Sequence, residues 1–265
     1  MHDTLSSLVE RAIAGHHRPL EFYLREHSRL PGSRPNFELA NDFAYLLAAA
    51  SAKQRDNVLS LIYTFASHDG ILAADDVQSE FIILCGVIAA GACAATQSEW
   101  REQVAGMLCH YACSPSGPIR EAVATAFQHL LSADASMTMS YLSQLATSDS
   151  FLQQRAAIAS ISESRLLYGT ELAEGALQLQ RTVLEHILQV PVSERKCEDF
   201  RILRRTLGYT LSVVAAALPA KCFAFMRECA VWNDSDINWI LRENLKKKRL
   251  AKYSQEIAVV TELLT

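Results

Sequence analysis

The sequence predicts an all-α chain arranged as a right-handed α-solenoid, a superhelix of stacked helical hairpins. Three observations point there. A helix-sized phrase recurs through the second half: Pro118-Ile119-Arg120-Glu121-Ala122-Val123, Gln154-Arg155-Ala156-Ala157-Ile158, Phe200-Arg201-Ile202-Leu203 and Ile237-Asn238-Trp239-Ile240-Leu241. Aligned on Arg120, Arg155, Arg201 and Asn238, the phrases lie 35, 46 and 37 residues apart, a period of one hairpin per unit. Such a unit cannot bury its apolar face alone, so neighbours must stack. The prolines (Pro19, Pro31, Pro35, Pro115, Pro118, Pro191 and Pro219) fall between apolar-periodic stretches rather than inside them, which is how helices are punctuated. No run alternates apolar and polar residues between turn signals, so no strand is expected.

Element by element, helices fit Asp3–Ala14 and Pro19–His27, and the break Leu30-Pro31-Gly32-Ser33-Arg34-Pro35 leads to Asn36 as N-cap of a helix over Phe37–Ala50. Helices follow at roughly 53–66 and 75–95, the second capped by Asp75 with Gln78 at the third position of a capping box. Its apolar run, Phe81–Ala95, is 15 residues, short of the ~20 that span a bilayer, and reads as a helix buried on most sides. Thr96-Gln97-Ser98-Glu99 is a second capping box, opening a helix to Ala112. From there the pairs are 97–112 with 117–131, 136–147 with 150–163, 170–188 with 194–217, and 219–231 with 234–249. Pro118 and Pro219 sit in first turns, where the missing N–H costs nothing. The 265 residues are expected to form one continuous domain of roughly five to seven units. It has an irregular helical part over 1–95, regular hairpins over 97–250 and a capping helix over 254–264.

Half of the residues are hydrophobic and a fifth are charged, which excludes disorder and permits a substantial core. The start, Met1-His2-Asp3-Thr4, lacks the basic-then-apolar pattern of a secretory signal. Seven cysteines, odd in number and irregular in spacing, argue against a disulfide framework and for a reducing cytoplasm. All seven read as packing residues, including Cys109 and Cys113, which flank His110 without a fourth ligand for a metal. His16, His17, His27 and His68 stand near helix ends or loops without ligand partners at metal spacing. No residue pattern indicates a cofactor. There is no nucleophile elbow, phosphate-cradling glycine loop or His-Glu-x-x-His.

The net charge of −4 hides an asymmetry: 195–252 holds 13 Lys and Arg against 6 Asp and Glu. At 100° per residue, Phe200, Leu203, Leu207, Val214 and Leu218 form one stripe, with Arg201, Arg205 and Ser212 away from it. On the last repeated helix Ile237, Ile240, Leu241 and Asn244 face one side, with Trp239, Arg242, Lys246 and Arg249 broadly opposite. Arg201, Arg205, Trp239, Arg242, Lys246 and Arg249 are therefore the candidate anion- or partner-binding set. Arginine forks and lysines suit phosphates, and an indole face suits a base or a cation, which leaves nucleic acid, an acidic protein and lipid open as the anionic partner. The alternative is a solvated last turn in which Lys246, Lys247, Lys248 and Arg249 complement the helix dipole.

The recurring apolar-Arg-Ala/Val/Ile phrase after a polar turn resembles the inner helix of HEAT-type repeats over about 97–250. Phe200-Arg201-Ile202-Leu203-Arg204-Arg205 and Trp239-Ile240-Leu241-Arg242-Glu243-Asn244 further resemble uncharacterised bacterial HEAT-repeat proteins. The resemblance implies a scaffold fold without assigned chemistry, with Arg120 and Arg155 bracing the stack by bonding loop carboxylates or carbonyls. It therefore implies a non-catalytic binding protein with a protein partner, nucleic acid being a further partner class for the basic 195–252 region. A second resemblance, of Trp232-Asn233-Asp234-Ser235-Asp236-Ile237-Asn238-Trp239 to helices of HEAT-like alkylpurine DNA glycosylases, implies an alternative DNA-binding enzyme. Asp234 and Asp236 read equally as helix N-terminal charges, and overall acidity opposes strong DNA affinity.

Overall fold

The computed structural model describes residues 2–32, 34–67 and 77–264. Among these there are fourteen α-helices, several short 3-10 turns and no strand. His68 and the Asp75 cap lie outside the described residues, as does the side chain of Gln78. The chain divides into two compact units, Met1–Asp134 and Ala135–Thr265.

The first unit is built around one helix. It contains α1 (His2–Ile13), α2 (Arg18–Glu26), α3 (Phe37–Ser51), α4 (Arg55–Ala66), α5 (Val77–Thr96), α6 (Arg101–Tyr111) and α7 (Gly117–Ala133). A helix that is apolar all round must be covered all round. Accordingly Phe81, Ile82, Ile83, Leu84, Val87 and Ile88 of α5 are fully buried, with α2, α3, α4, α6 and α7 packed against it. By length and composition Ser79–Thr96 is apolar enough to cross a bilayer, but 83% of it is buried within the fold.

Two glycines set how closely α5 is approached. A Cβ on Gly86 would lie 2.7 Å from the backbone N of Ala66 on α4, and one on Gly91 would lie 2.5 Å from Cα of Ala126 on α7. Arg101 then closes the end of α5, donating to Ala94 O at 3.2 Å and Ala95 O at 3.3 Å while pairing with Asp134 at 3.2 Å. Those last carbonyls have no partner within the helix, so a cation is favoured there. The Tyr111 hydroxyl donates to Ala66 O, closing α4 in the same way.

Asn36 is the N-cap of α3, accepting from Leu39 N–H at 3.2 Å. The expected capping box at Thr96 does not form. Thr96 Oγ1 donates back to Cys93 O at 2.8 Å, and a 3-10 turn over Ser98–Trp100 precedes α6.

The second unit contains α8 (Ala135–Ala146), α9 (Phe151–Ile161), α10 (Thr170–Gln189), α11 (Glu198–Ala217), α12 (Pro219–Ala230), α13 (Ser235–Leu245) and α14 (Ser254–Leu263). The pairs α8–α9, α10–α11 and α12–α13 each pack together, and α9, α11 and α13 pack one on the next. Of the expected apolar stripes, Phe200, Leu203, Leu207 and Val214 are buried, as are Ile237, Ile240, Leu241 and Asn244, whereas Leu218 is half-buried as the C-cap of α11. Ser212 is also fully buried, contrary to the helical-wheel expectation, because α13 covers α11 there.

Two expected helices are shorter than their patterns. The segment 194–217 is broken at Cys197, with a 3-10 turn over Glu194–Lys196 before α11. The segment 234–249 stops at Leu245, and a 3-10 stretch runs over Lys248–Tyr253.

The entrances to α7 and α9 share one construction. At α7, Ser114 Oγ accepts from Ser116 N–H and Ser116 Oγ from Ile119 N–H, each at 3.2 Å, while Arg120 donates to Ser114 O at 2.6 Å and Pro115 O at 2.8 Å. At α9, Ser148 Oγ accepts from Ser150 N–H at 3.0 Å and Ser150 Oγ from Gln153 N–H at 3.4 Å, while Gln154 donates to Ser148 O at 2.6 Å. The residue matching Arg120 is therefore Gln154, and Arg155 is buried one position further on. A shared arginine misled the sequence alignment by one residue; the paired serines carry the true register.

Candidate functional site

The face to which the sequence points lies on α11 and α13 and on the 3-10 stretch after them. Its foundation is the α12–α13 turn. Asp234 is the N-cap of α13, its Oδ1 accepting from the N–H groups of Asp236 at 2.9 Å and Ile237 at 3.1 Å. Arg195, buried in the α10–α11 turn, donates to Val190 O at 2.9 Å and to Asp234 Oδ2 at 2.6 Å, and lies 3.5 Å from Asp236. Arg195 thus braces this turn in place of residue 238, whose Asn side chain is buried but shorter than the Arg and Gln used at the earlier entrances.

Burial acts to raise the Asp234 carboxyl. The hydrogen bonds from Arg195, Ile237 N–H and Asp236 N–H, with the charge of Arg195, outweigh it and hold the group below the usual carboxylate range. A depressed folded-state value stabilises the fold above the unfolded pKa of about 3.9, and that contribution disappears as pH falls through the folded value. Asp234→Asn is therefore expected to lower the urea midpoint at neutral pH, with the deficit shrinking towards pH ~3. A pH-independent deficit would show that the charge of Asp234 is not what matters.

Above this foundation, Arg204 lies 4.1 Å from the centre of the Trp239 ring. Its Nε is 2.9 Å from Asp236 Oδ1, an ion pair outside hydrogen-bond geometry. Gly208 lets the indole lie against α11: a Cβ there would come within 3.1 Å of the ring edge. Beneath them Asn244, fully buried, accepts from the backbone N–H of Ser212 at 2.7 Å and donates to Leu207 O at 2.7 Å and Ile240 O at 2.8 Å. One amide thus joins α13 to two backbone groups of α11.

All five candidate cations are exposed and Trp239 is half-buried. Arg201 pairs with Glu198 at 3.2 Å and Arg205 approaches the same carboxylate at 3.8 Å. Arg242 donates to Leu264 O at 3.3 Å. Lys246 is the C-cap of α13 and pairs with Glu243 at 2.6 Å. That hydrogen bond, with the charges of Lys246 and Lys247, keeps the Glu243 carboxyl below its ordinary range. Arg249 is on the 3-10 stretch, so the dipole argument reaches Lys246 alone. Sequence reasoning missed Arg195 as a brace and Arg204 as the partner of Trp239. Neither has a short-range signal, since Asp234 lies 39 residues beyond Arg195.

Among the described residues no group of three or more His, Cys, Asp or Glu is placed to hold a metal ion. Cys85, Cys93, Cys222 and Cys229 are buried, with burial pushing the Cys93 thiol up to about 12. Cys113 and Cys197 are exposed, Cys197 at the N-cap position of α11 without a side-chain cap bond, which corrects the expectation that all seven pack in cores.

No family model matches the sequence, and no curated protein matches it. An engineered protein of known crystal structure is similar at 15% identity, covering 89% of this chain and 97% of its own, with a TM-score of 0.34. A likeness that loose carries no argument about fold or function.

Proposed function

We propose that the chain is a non-catalytic binding protein: a right-handed, HEAT-like solenoid that works in the cytoplasm and presents the α11–α13 face to an acidic segment of a protein partner. The matching serine-capped entrances of α7 and α9 and the succession α9, α11, α13 support the repeat reading. One observation carries the functional reading. The three carboxylates of α13 and its cap are engaged: Asp234 with Arg195, Asp236 with Arg204, Glu243 with Lys246. A glycosylase-type enzyme needs a carboxylate held open between the aromatics to act on its substrate, and the nearest ones are consumed in bracing and pairing. A binding face needs only exposed cations and an aromatic. The face offers Arg242, Lys246 and Arg249 beside Trp239, with Arg201 and Arg205 on α11 sharing one exposed carboxylate.

The test is fluorescence anisotropy with a labelled acidic peptide, single- and double-stranded DNA and RNA across a salt series. The peptide is expected to bind and to weaken with salt. No peptide binding at low salt, or base excision from alkylated DNA, would overturn the reading.

A further inference from the structure

We infer that the charge which captures the acidic partner is supplied by Lys248, Arg249 and Lys252, on the 3-10 stretch after α13, rather than by the arginines of α11. This rests on the binding reading above and names the contact within it. The 3-10 stretch Lys248–Tyr253 turns every three residues, so side chains three apart lie on one edge. Leu250, fully buried, and Tyr253, whose ring lies 5.5 Å from that of Phe223, form the inward edge. That phase puts Arg249 and Lys252 together on one outward edge and Lys248 with the small Ala251 on the other, and all four are exposed.

The pairing of charges separates these residues from most of the basic region, the α11 arginines included. Arg195, Arg201, Arg204, Arg205, Lys221, Arg227 and Lys246 each have a carboxylate of this chain within ion-pair distance. Among the described residues no carboxylate stands so to Lys248, Arg249 or Lys252; Lys252 Nζ instead lies 5.0 Å from the Tyr253 ring. Eclipsed like charges repel, and an incoming anion relieves that repulsion without displacing a resident partner.

Size and flanks choose the occupant. Six residues at ~2.0 Å rise make a strip of about 12 Å, the length of about four residues of extended chain. Glu243 stands before the strip, and Glu256 and Glu262 after it. A short cluster of Asp or Glu matches the length of the strip, whereas a long phosphate backbone carries charge beyond both of its ends, into chain that is acidic in sequence on either side.

Two triple variants locate the contact. The probe is a labelled peptide carrying four consecutive glutamates. Lys248→Ser/Arg249→Ser/Lys252→Ser is expected to weaken its binding by about tenfold or more, and Arg201→Ser/Arg205→Ser/Arg242→Ser by less than about threefold, at equal salt. Circular dichroism melts establish that both variants fold. Loss confined to the second triple, or equal loss in both, overturns this inference and leaves the binding reading standing. No binding by the wild type overturns both. Tighter binding of single- or double-stranded DNA of matched charge than of the peptide overturns the acidic segment as occupant.

Discussion

Gly91→Ala is expected to destabilise the first unit by more than about 2 kcal/mol, although alanine is the better helix former by about 1 kcal/mol. The added Cβ would lie 2.5 Å from Cα and 2.6 Å from O of Ala126. Both are backbone atoms of α7, so no flexible side chain can swing aside, and relief requires the two helices to move apart. That motion opens voids along the buried α5–α7 interface, where each lost methylene costs on the order of 1 kcal/mol. Gly91→Leu is expected to abolish cooperative unfolding altogether. Gly106 supplies the control. It is exposed inside α6 with nothing within 4 Å of its Cβ position, so Gly106→Ala should stabilise by roughly 0.5–1 kcal/mol. Urea midpoints of the two alanine variants should shift in opposite directions. Shifts of the same sign would mean that propensity, not the α5–α7 approach, decides both positions.

Asn244→Asp is expected to cost about 3–5 kcal/mol, the largest effect of any single polar substitution in the second unit. The amide serves three backbone groups at once. An ionised carboxylate still accepts from Ser212 N–H but faces Leu207 O and Ile240 O as an acceptor against acceptors, in a fully buried site. Burial of a charge there raises the folded-state pKa of the new carboxyl, so its sign is opposite to that of Asp234. Relative to wild type, the Asn244→Asp deficit should shrink as pH falls and the carboxyl takes a proton. Asn244→Leu, which removes donor and acceptor together, should cost about 2–3 kcal/mol with no such pH dependence. Equal, pH-independent losses in the two variants would show that the site is merely a packing position.

Asn244 also marks how much the sequence discloses. Helical phase placed it on the buried stripe beside Ile240 and Leu241, where it is found, but phase cannot say that its amide meets Leu207 and Ser212, 37 and 32 residues earlier. Local signals served well where the physics is local. Asn36 caps α3, and the unbroken apolarity of Phe81–Ala95 translates into a helix covered on its sides.

They failed where tertiary packing chose between local options. Thr96 had two ways to use its hydroxyl and took the carbonyl of Cys93, leaving the capping box unmade. The pattern over 234–249 was consistent with one helix. The chain instead leaves α13 at Leu245, and Leu250 and Tyr253 reach the interior at a spacing of three. The candidate face was legible as residue types and sidedness. Its pairing was legible only where it is local: Glu198 with Arg201 and Glu243 with Lys246 are i,i+3 neighbours, whereas Asp236 meets Arg204 only through the packing of α13 on α11.

The measurement that bears most directly on this account is amide hydrogen exchange with and without the four-glutamate peptide. Added protection is expected to be confined to α13 and the stretch through Tyr253, with exchange in the first unit unchanged. Protection centred elsewhere, or none at a saturating peptide concentration, would contradict it.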